Sequence, residues 1–397
     1  MNTSSLKNYL KIKLFILLCC FSVLTPCKGQ ETNSITLGIK KKVKSVYLNE
    51  EKEYWINLPA SYEDQGAAYK KYPLLILLDG HLHFQSATGM VNYMSAGLNG
   101  NLQIPEMVVV GIRSSKRQRD FTPDKIITTR PNETGGAGIF LQFLENELIP
   151  LIDQEYRTAP YRILFGHSLG GLFATHAYLQ AESKFHAFLA IDPSFGTWDA
   201  ETMDKKINAV TEKTFDRFIY IATANWGKRN IRNRDRHIRF YETLKSRSLG
   251  PFLGTYQYFD NENHASVPPI AFYEGISCLF EGYDVNYRHV ESAESLKAHF
   301  ATLSKRLHYP FSPPEALVNR IGYHLLQNSK DQTAGLAFFI LNTELYPTSA
   351  NAFDSLAEAY ARLGENDLAI SYYQKALKLN PESSHAFEML KKLKSTN

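Results

Sequence analysis

Beyond residue 29 the chain contains a single cysteine, Cys278; the other three, Cys19, Cys20 and Cys27, lie nearer the amino terminus. No intramolecular disulfide can hold the later chain together, so its stability must come from a large buried core. Cys278 sits in the apolar-flanked Ile276-Ser-Cys-Leu-Phe280 and reads as a core residue. Charge of one sign is missing too. The formal net charge of +4 comes from 44 basic and 40 acidic residues, yet Lys7, Lys11, Lys13 and Lys28 precede residue 30 with no acid among them. The chain from residue 30 onward is formally neutral, which removes the basic-surface argument for nucleic acid or membrane binding. A long apolar run is also absent, since Leu14 to Leu24 is too short to span a bilayer comfortably. With Lys7, Lys11 and Lys13 before it and Cys27-Lys-Gly29 after it, that run reads as the core of a secretory signal peptide over residues 1–29. The expectation is a periplasmic or secreted protein with no membrane span once the segment is removed.

Metal chemistry lacks a ligand set. His81 and His83 are spaced as a pair, but no carboxylate or third histidine is grouped with them, so neither a metal nor any other cofactor is expected.

What is present centres on Gly166-His-Ser-Leu-Gly170, the G-x-S-x-G pattern, with an apolar run before it and an amphipathic stretch, Leu169 to Gln180, after it. In this motif a strand turns abruptly into a helix and the serine is held exposed, poised to attack a carbonyl. The rest of residues 43–280 supplies a matching scaffold. Val43 to Leu48 and Tyr54 to Leu58 read as an edge hairpin separated by the charged residues 49–53. Pro73 to Leu78 and Met107 to Ile112 read as strands buried on both faces. Ile139 to Tyr156 has helical spacing, and Ala187 to Ile191, Arg217 to Ala222 and Gly254 to Phe259 are further strands, with a closing helix from Pro269 to Phe280. Strands alternating with helices predict a mostly parallel α/β sheet.

Chain order then suggests partners for Ser168. His264, in the turn after the last strand, is the candidate base. The acid should follow the strand 217–222, but Thr223-Ala-Asn-Trp-Gly227 has no carboxylate; Asp235 is the first acid beyond it, with Glu262, Asp199 and Asp192 as alternatives and a Ser–His dyad still open. Oxyanion donors are expected from the backbone N–H of Leu169 and of His81 or Leu82. Two basic stretches, Arg113 to Arg119 and Lys228 to Arg239, follow strands at the carboxyl edge of the sheet. Arg119, Trp198 and Trp226 are candidate substrate contacts there, with surface charge and core packing as equal explanations.

Residues 43–283 resemble the bacterial esterase family that includes the enterochelin and salmochelin (ferric siderophore) esterases, and more distantly feruloyl and acetyl-xylan esterases. The resemblance rests on Leu77-Leu-Asp-Gly80, Val110-Gly-Ile112 with Arg119-Asp-Phe-Thr-Pro123, Gly166 to Gly171, Ile191-Asp-Pro-Ser194 with Trp198, and His264-Ala-Ser-Val-Pro268. It implies an α/β-hydrolase fold with Ser168 as nucleophile and His264 as base, acting on a small-molecule or glycan-linked ester. A siderophore lactone is favoured over a carbohydrate ester, and acyl transfer to a sugar or peptide remains open. Further on, Leu356, Ala357, Tyr360, Gly364, Ala369, Tyr373, Ala376 and Pro381 fall on the spacing of a tetratricopeptide repeat, and Pro347 lies 34 residues before Pro381. The expected organisation is a signal peptide over 1–29, an α/β-hydrolase domain over 30–285, a linker over 286–310 and an all-α helical domain over 311–397. That tail suggests a protein partner, self-association, or a scaffold over the active-site mouth; a protein working through the tail alone, with a vestigial hydrolase domain, is the non-enzymatic alternative.

Overall fold

A computed structural model of the chain describes residues 36–64, 70–97, 102–125, 133–196, 200–227, 231–328 and 333–396. Residues 1–29, expected as a leader, lie outside them. The chain divides at Leu37/Gly38, and the second unit, Gly38–Asn397, holds the sheet, its helices and the helical tail.

The centre of this unit is an eight-stranded sheet in the order β1-β2-β4-β3-β5-β6-β7-β8. The strands are β1 Ile39–Ser45, β2 Glu50–Asn57, β3 Tyr72–Leu77, β4 Val108–Ile112, β5 Thr158–His167, β6 Ala187–Ile191, β7 Phe218–Ala224 and β8 Gly254–Phe259. β1 pairs antiparallel with β2, and β2 with β4; the pairings from β4 through β8 are all parallel. Every residue of β3, β4, β6 and β7 is buried. Such runs need cover on both faces, which the crossover helices provide: α1 Gly80–Ser95, α2 Arg117–Phe121, α3 Ala137–Phe143, α4 Ile149–Glu155, α5 Leu169–Leu179, α6 Ala200–Asn208, α7 Ile231–Ser246 and α8 Val267–Leu279.

Two local expectations are corrected. Residues 50–53 belong to β2 rather than to a loop, because Lys52 is buried and ion-paired with Asp120 at 2.6 Å and Glu50 at 2.8 Å. The charged residues expected to separate two strands are part of one, and Lys52 alone among them turns into the core. The helix expected over 139–156 is interrupted between α3 and α4 by a wider π turn, Leu144–Leu148. Pro150 follows it, and a proline has no N–H to continue the ladder.

Residues 286–310 contain α9, Ala293–Leu307, a 15-residue helix opened by a Ser292/Ser295 capping box and burying Leu296, Phe300, Leu303 and Leu307 on one face. Four more helices form two hairpins, α10 Glu315–Asn328 with α11 Thr333–Leu345 and α12 Ala350–Arg362 with α13 Asn366–Leu379, before a final α14, Ser384–Thr396. Small residues set the spacing in both. A Cβ on Gly335 would stand 2.7 Å from the Gly322 carbonyl oxygen, and Ala357, Ala369 and Ala376 are fully buried between α12 and α13. The tail joins the sheet near the amino ends of its strands. Tyr161, early in β5, packs against Tyr309 and Phe311 with ring centroids 5.3 and 5.2 Å apart, and Arg320 donates to the Gly97 carbonyl at 3.0 Å.

Candidate active site

At the other end of β5 the strand stops at His167, and α5 starts at Leu169. Ser168 joins them at φ 62° and ψ −118°, a conformation that costs a non-glycine residue about 1–3 kcal/mol and persists only where the surroundings enforce it. The enforcement is visible. A Cβ on Gly166 would sit 2.1 Å from the Gly170 carbonyl oxygen, so strand and helix cross closer than any side chain would allow. The Ser168 N–H donates to the Ile191 carbonyl at 2.9 Å, and its carbonyl accepts from Leu172 at 3.0 Å and Ser194 at 3.1 Å. The hydroxyl itself lies 3.1 Å from Ser194 Oγ.

His264 stands in the turn between β8 and α8, shaped by the Asn263 side chain, which accepts from the Ala265 N–H at 2.9 Å. Its ring lies between His167, 4.4 Å away by centroids, and Trp226 at 4.6 Å. Its Nδ1 is 2.6 Å from Asp192 Oδ2. With Nδ1–H donated to that carboxylate, Nε2 is left as the acceptor, the tautomer a general base needs.

The carboxylate on His264 is therefore Asp192 and not Asp235. Asp235 is exposed on the outer face of α7, whose inner face presents Asn233, His237, Phe240 and Leu244. Asp192 directly follows β6, is 1% exposed and adopts φ 41°. Its Oδ2 also accepts from Trp226 Nε1 at 2.7 Å, and its Oδ1 from the Ala224 N–H at 3.2 Å. Burial alone would raise its pKa, but the hydrogen bonds from His264 and Trp226 outweigh that and hold it below the usual carboxylate range. The signal available in the sequence is a lone acid placed immediately after a fully buried strand. The rule that the acid follows the next strand points past it.

Leu169 and His81 lie at the starts of α5 and α1, where backbone N–H groups have no intrahelical acceptor and stay free for an anion. Leu82 is unsuited to that role because its N–H donates to the Asp79 carbonyl at 2.8 Å. His81 is exposed, whereas His83 is buried with its ring against Phe165 and His167. Burial lowers the pKa of His83 to about 4 and that of His167 to about 3. Among the described residues no group of three or more His, Cys, Asp or Glu is placed to hold a metal ion.

Arg119 is committed elsewhere: it bonds Glu50 at 2.7 Å and Asp120 at 2.7 Å beside Lys52. The arginine that reaches the elbow is Arg117, which donates to the His167 carbonyl at 3.1 Å and to Asp79 at 2.8 Å. Trp226 is brought to the site as a neighbour of His264 and Asp192, and Trp198 lies outside the described residues. A hydroxyl at a strained strand–helix junction, an imidazole bound to a buried carboxylate and free helix-terminal amides are the parts that acyl transfer requires. The class defined by this fold is that of the α/β-hydrolases.

Comparison with known proteins narrows the class. The Esterase family model matches residues 45–237, and a tetratricopeptide repeat model matches residues 355–383. The ferri-bacillibactin esterase BesA of Bacillus subtilis is 30% identical over 220 residues, which cover 50% of this chain and 75% of BesA. An IroE-like serine hydrolase from Shewanella oneidensis superposes with a TM-score of 0.67 at 26% identity, covering 78% of this chain and 99% of its own. An uncharacterised protein from Capnocytophaga ochracea shares the fold over 90% of this chain and 99% of its own, with a TM-score of 0.58 at 21% identity. The chain belongs to the Esterase family, and it is a hydrolase that carries tetratricopeptide-type helices after its α/β domain.

Proposed function

We propose that this protein is a serine esterase that opens the ester bonds of a siderophore of the catecholate trilactone type through an acyl-enzyme on Ser168. The observation that carries the mechanism is the 2.6 Å bond between His264 Nδ1 and the buried Asp192 carboxylate beside the strained Ser168. In this reading His264 Nε2 takes the Ser168 proton as Oγ bonds to the substrate carbonyl carbon. The carbonyl oxygen becomes the oxyanion and is met by the N–H groups of Leu169 and His81. Collapse breaks the bond to the leaving oxygen, which receives the proton from His264. Water then repeats the sequence on the acyl-enzyme, and Ser168 Oγ leaves with the proton restored to it. Asp192 stays ionised throughout; it orients the imidazole and stabilises the imidazolium that forms twice in each turnover.

The substrate class is supported by the similarity to BesA, whose name states its action on ferri-bacillibactin. Lys116, Arg117, Arg119 and Glu133 line a cleft of about 540 Å³, and Arg117 also reaches the His167 carbonyl; the excess of basic groups suits an anionic ferric complex. A periplasmic or secreted location belongs to the same proposal and rests on the leader-like composition of residues 1–29. For the helical tail we favour a protein-binding or self-association role, since its attachments lie at the end of the sheet away from Ser168. The test is a hydrolysis screen of the purified protein against ferric catecholate siderophores and against feruloylated and acetylated oligosaccharides. Ring-opened siderophore as the main product is the expected result. Turnover of the oligosaccharides alone would replace the substrate while keeping the mechanism.

A further inference from the structure

The segment between β6 and the end of its loop, Asp192 to Gly196, touches both halves of the reacting pair. Asp192 binds His264, and two residues later Ser194 places its hydroxyl 3.1 Å from Ser168 Oγ. Ser194 is 7% exposed, so water competes poorly for its hydroxyl. The loop is also pinned from beneath. The Pro193 carbonyl accepts from His237 Nε2 at 2.6 Å and from Asn233 Nδ2 at 3.1 Å, and the Gly196 N–H donates to Asn233 Oδ1 at 2.6 Å. A carbonyl has no proton to give, so His237 must carry its hydrogen on Nε2. Its Nδ1 then accepts from the Thr223 hydroxyl at 2.8 Å, and burial keeps the ring neutral by lowering its pKa. From the other side, the Ser194 N–H donates to the Ser168 carbonyl at 3.1 Å. The Ser194 hydroxyl is held in place before any substrate arrives, which is the condition under which a donor stabilises developing charge without reorganising.

We propose that Ser194 is a further catalytic residue, whose hydroxyl donates a hydrogen bond to Ser168 Oγ whenever that oxygen carries negative charge. In the resting site either hydroxyl can be the donor. Once the Ser168 proton has gone to His264, Ser194 is the one of the two hydroxyls with a hydrogen left to offer. Charge develops on Oγ during attack, as the Oγ–carbon bond forms, and again during deacylation, as that bond breaks and His264 returns the proton. The Ser194 proton stays on Ser194 in both steps. A hydrogen bond made to a charged group and lost by mutation corresponds to roughly a 10- to 100-fold change in rate. The effect falls on kcat, because the bond is to the nucleophile and not to the substrate.

This inference rests on Ser168 being the nucleophile, and the experiment separates the two. Steady-state hydrolysis of p-nitrophenyl acetate by the full-length protein is compared for wild type, Ser168→Ala, Ser194→Ala and Ser194→Thr, each checked by circular dichroism. The expected pattern is an inactive Ser168→Ala, a Ser194→Ala whose kcat is down roughly 10- to 100-fold without a rise in KM, and recovery of most of the rate in Ser194→Thr. Wild-type kcat in Ser194→Ala beside a dead Ser168→Ala overturns the role of Ser194 alone. Full activity in Ser168→Ala instead removes the nucleophile assignment on which it stands. Should Ser194→Ala fail to fold, Ser194→Gly removes the same hydroxyl, and loss of the fold in both makes the residue structural and overturns the inference.

Discussion

Replacing Asp192 by Asn keeps the size of the side chain and removes its charge, which makes it a direct probe of what the carboxylate does. All three of its partners, His264 Nδ1, Trp226 Nε1 and the Ala224 N–H, are donors. His264 and Trp226 share Oδ2 and Ala224 has Oδ1, so an asparagine must turn its amide nitrogen either to the Ala224 N–H or to His264 and Trp226 together. If the amide faces His264, the ring is forced into the tautomer with hydrogen on Nε2 and can no longer accept the Ser168 proton. If it faces Ala224, the tautomer survives and the charge is still gone. Two unit charges about 4 Å apart at an effective dielectric constant near 20 interact by about 4 kcal/mol. A charge-assisted hydrogen bond is about twice as strong as a neutral one. Losing about 3–4 kcal/mol of imidazolium stabilisation lowers kcat by roughly 10²- to 10³-fold. KM should hardly move, because the carboxylate is 1% exposed and meets no substrate. Asp235→Asn, on the outer face of α7, should stay near wild type in the same assay. An Asp192→Asn enzyme with nearly full kcat, or an equal loss in Asp235→Asn, would rule out Asp192 as the partner that matters to His264.

Other consequences arise from the same contacts. Trp226→Phe keeps an aromatic face on His264 but removes the donor 2.7 Å from Asp192 Oδ2, and kcat for p-nitrophenyl acetate should drop about tenfold; no change would mean that the indole only fills space. Truncation after residue 285 strips Tyr309 and Phe311 from Tyr161, Phe280 and Tyr283. Re-exposing such rings costs about 1.5–3 kcal/mol each, so the truncated protein should unfold in urea at a markedly lower concentration, and an unchanged midpoint would make the tail a separable appendage. Acid should destabilise the whole protein. His83 and His167 titrate at about 4 and about 3 in the folded state because they are buried, against about 6.5 when unfolded. Between those values the unfolded chain binds more protons, so stability falls as pH drops from about 6.5, by about 1.4 kcal/mol per unit for each ring. Urea midpoints at pH 7 and pH 4.5 measure this, and equal midpoints would contradict it.

The parts of this molecule legible in its sequence are those written in short-range patterns. The G-x-S-x-G crossing and the all-buried strands declare their geometry within a dozen residues, and the alanine and tyrosine spacing of α12 and α13 does so within about two dozen. Ser168 and His264 are recognisable because both follow strands at fixed offsets. The features hidden from sequence reading depend on contacts between distant segments. Asp192 and His264 are 72 positions apart, and the place of Asp192 directly after β6 becomes decisive over Asp235 only once β6 and β8 are set in one sheet. The burial of Lys52 is hidden because its partner, Asp120, lies 68 residues further on. Arg119 and Arg117 sit on the same short helix, and only packing shows that Arg119 turns to Glu50 while Arg117 turns to the elbow. The region expected as a linker hides a helix whose amphipathic face needs the aromatic cluster around Tyr283 to become recognisable.

Whether Ser168 is the nucleophile of an esterase is open to direct test by covalent labelling. The full-length protein is treated with a fluorophosphonate at pH 8, digested, and mapped by mass spectrometry. One phosphonyl group per chain is expected, on the peptide that contains Ser168, with hydrolysis of p-nitrophenyl acetate lost in step and no labelling of Ser168→Ala. A protein that hydrolyses esters yet carries no adduct at Ser168, or carries it on another residue, would show that the ester chemistry lies elsewhere.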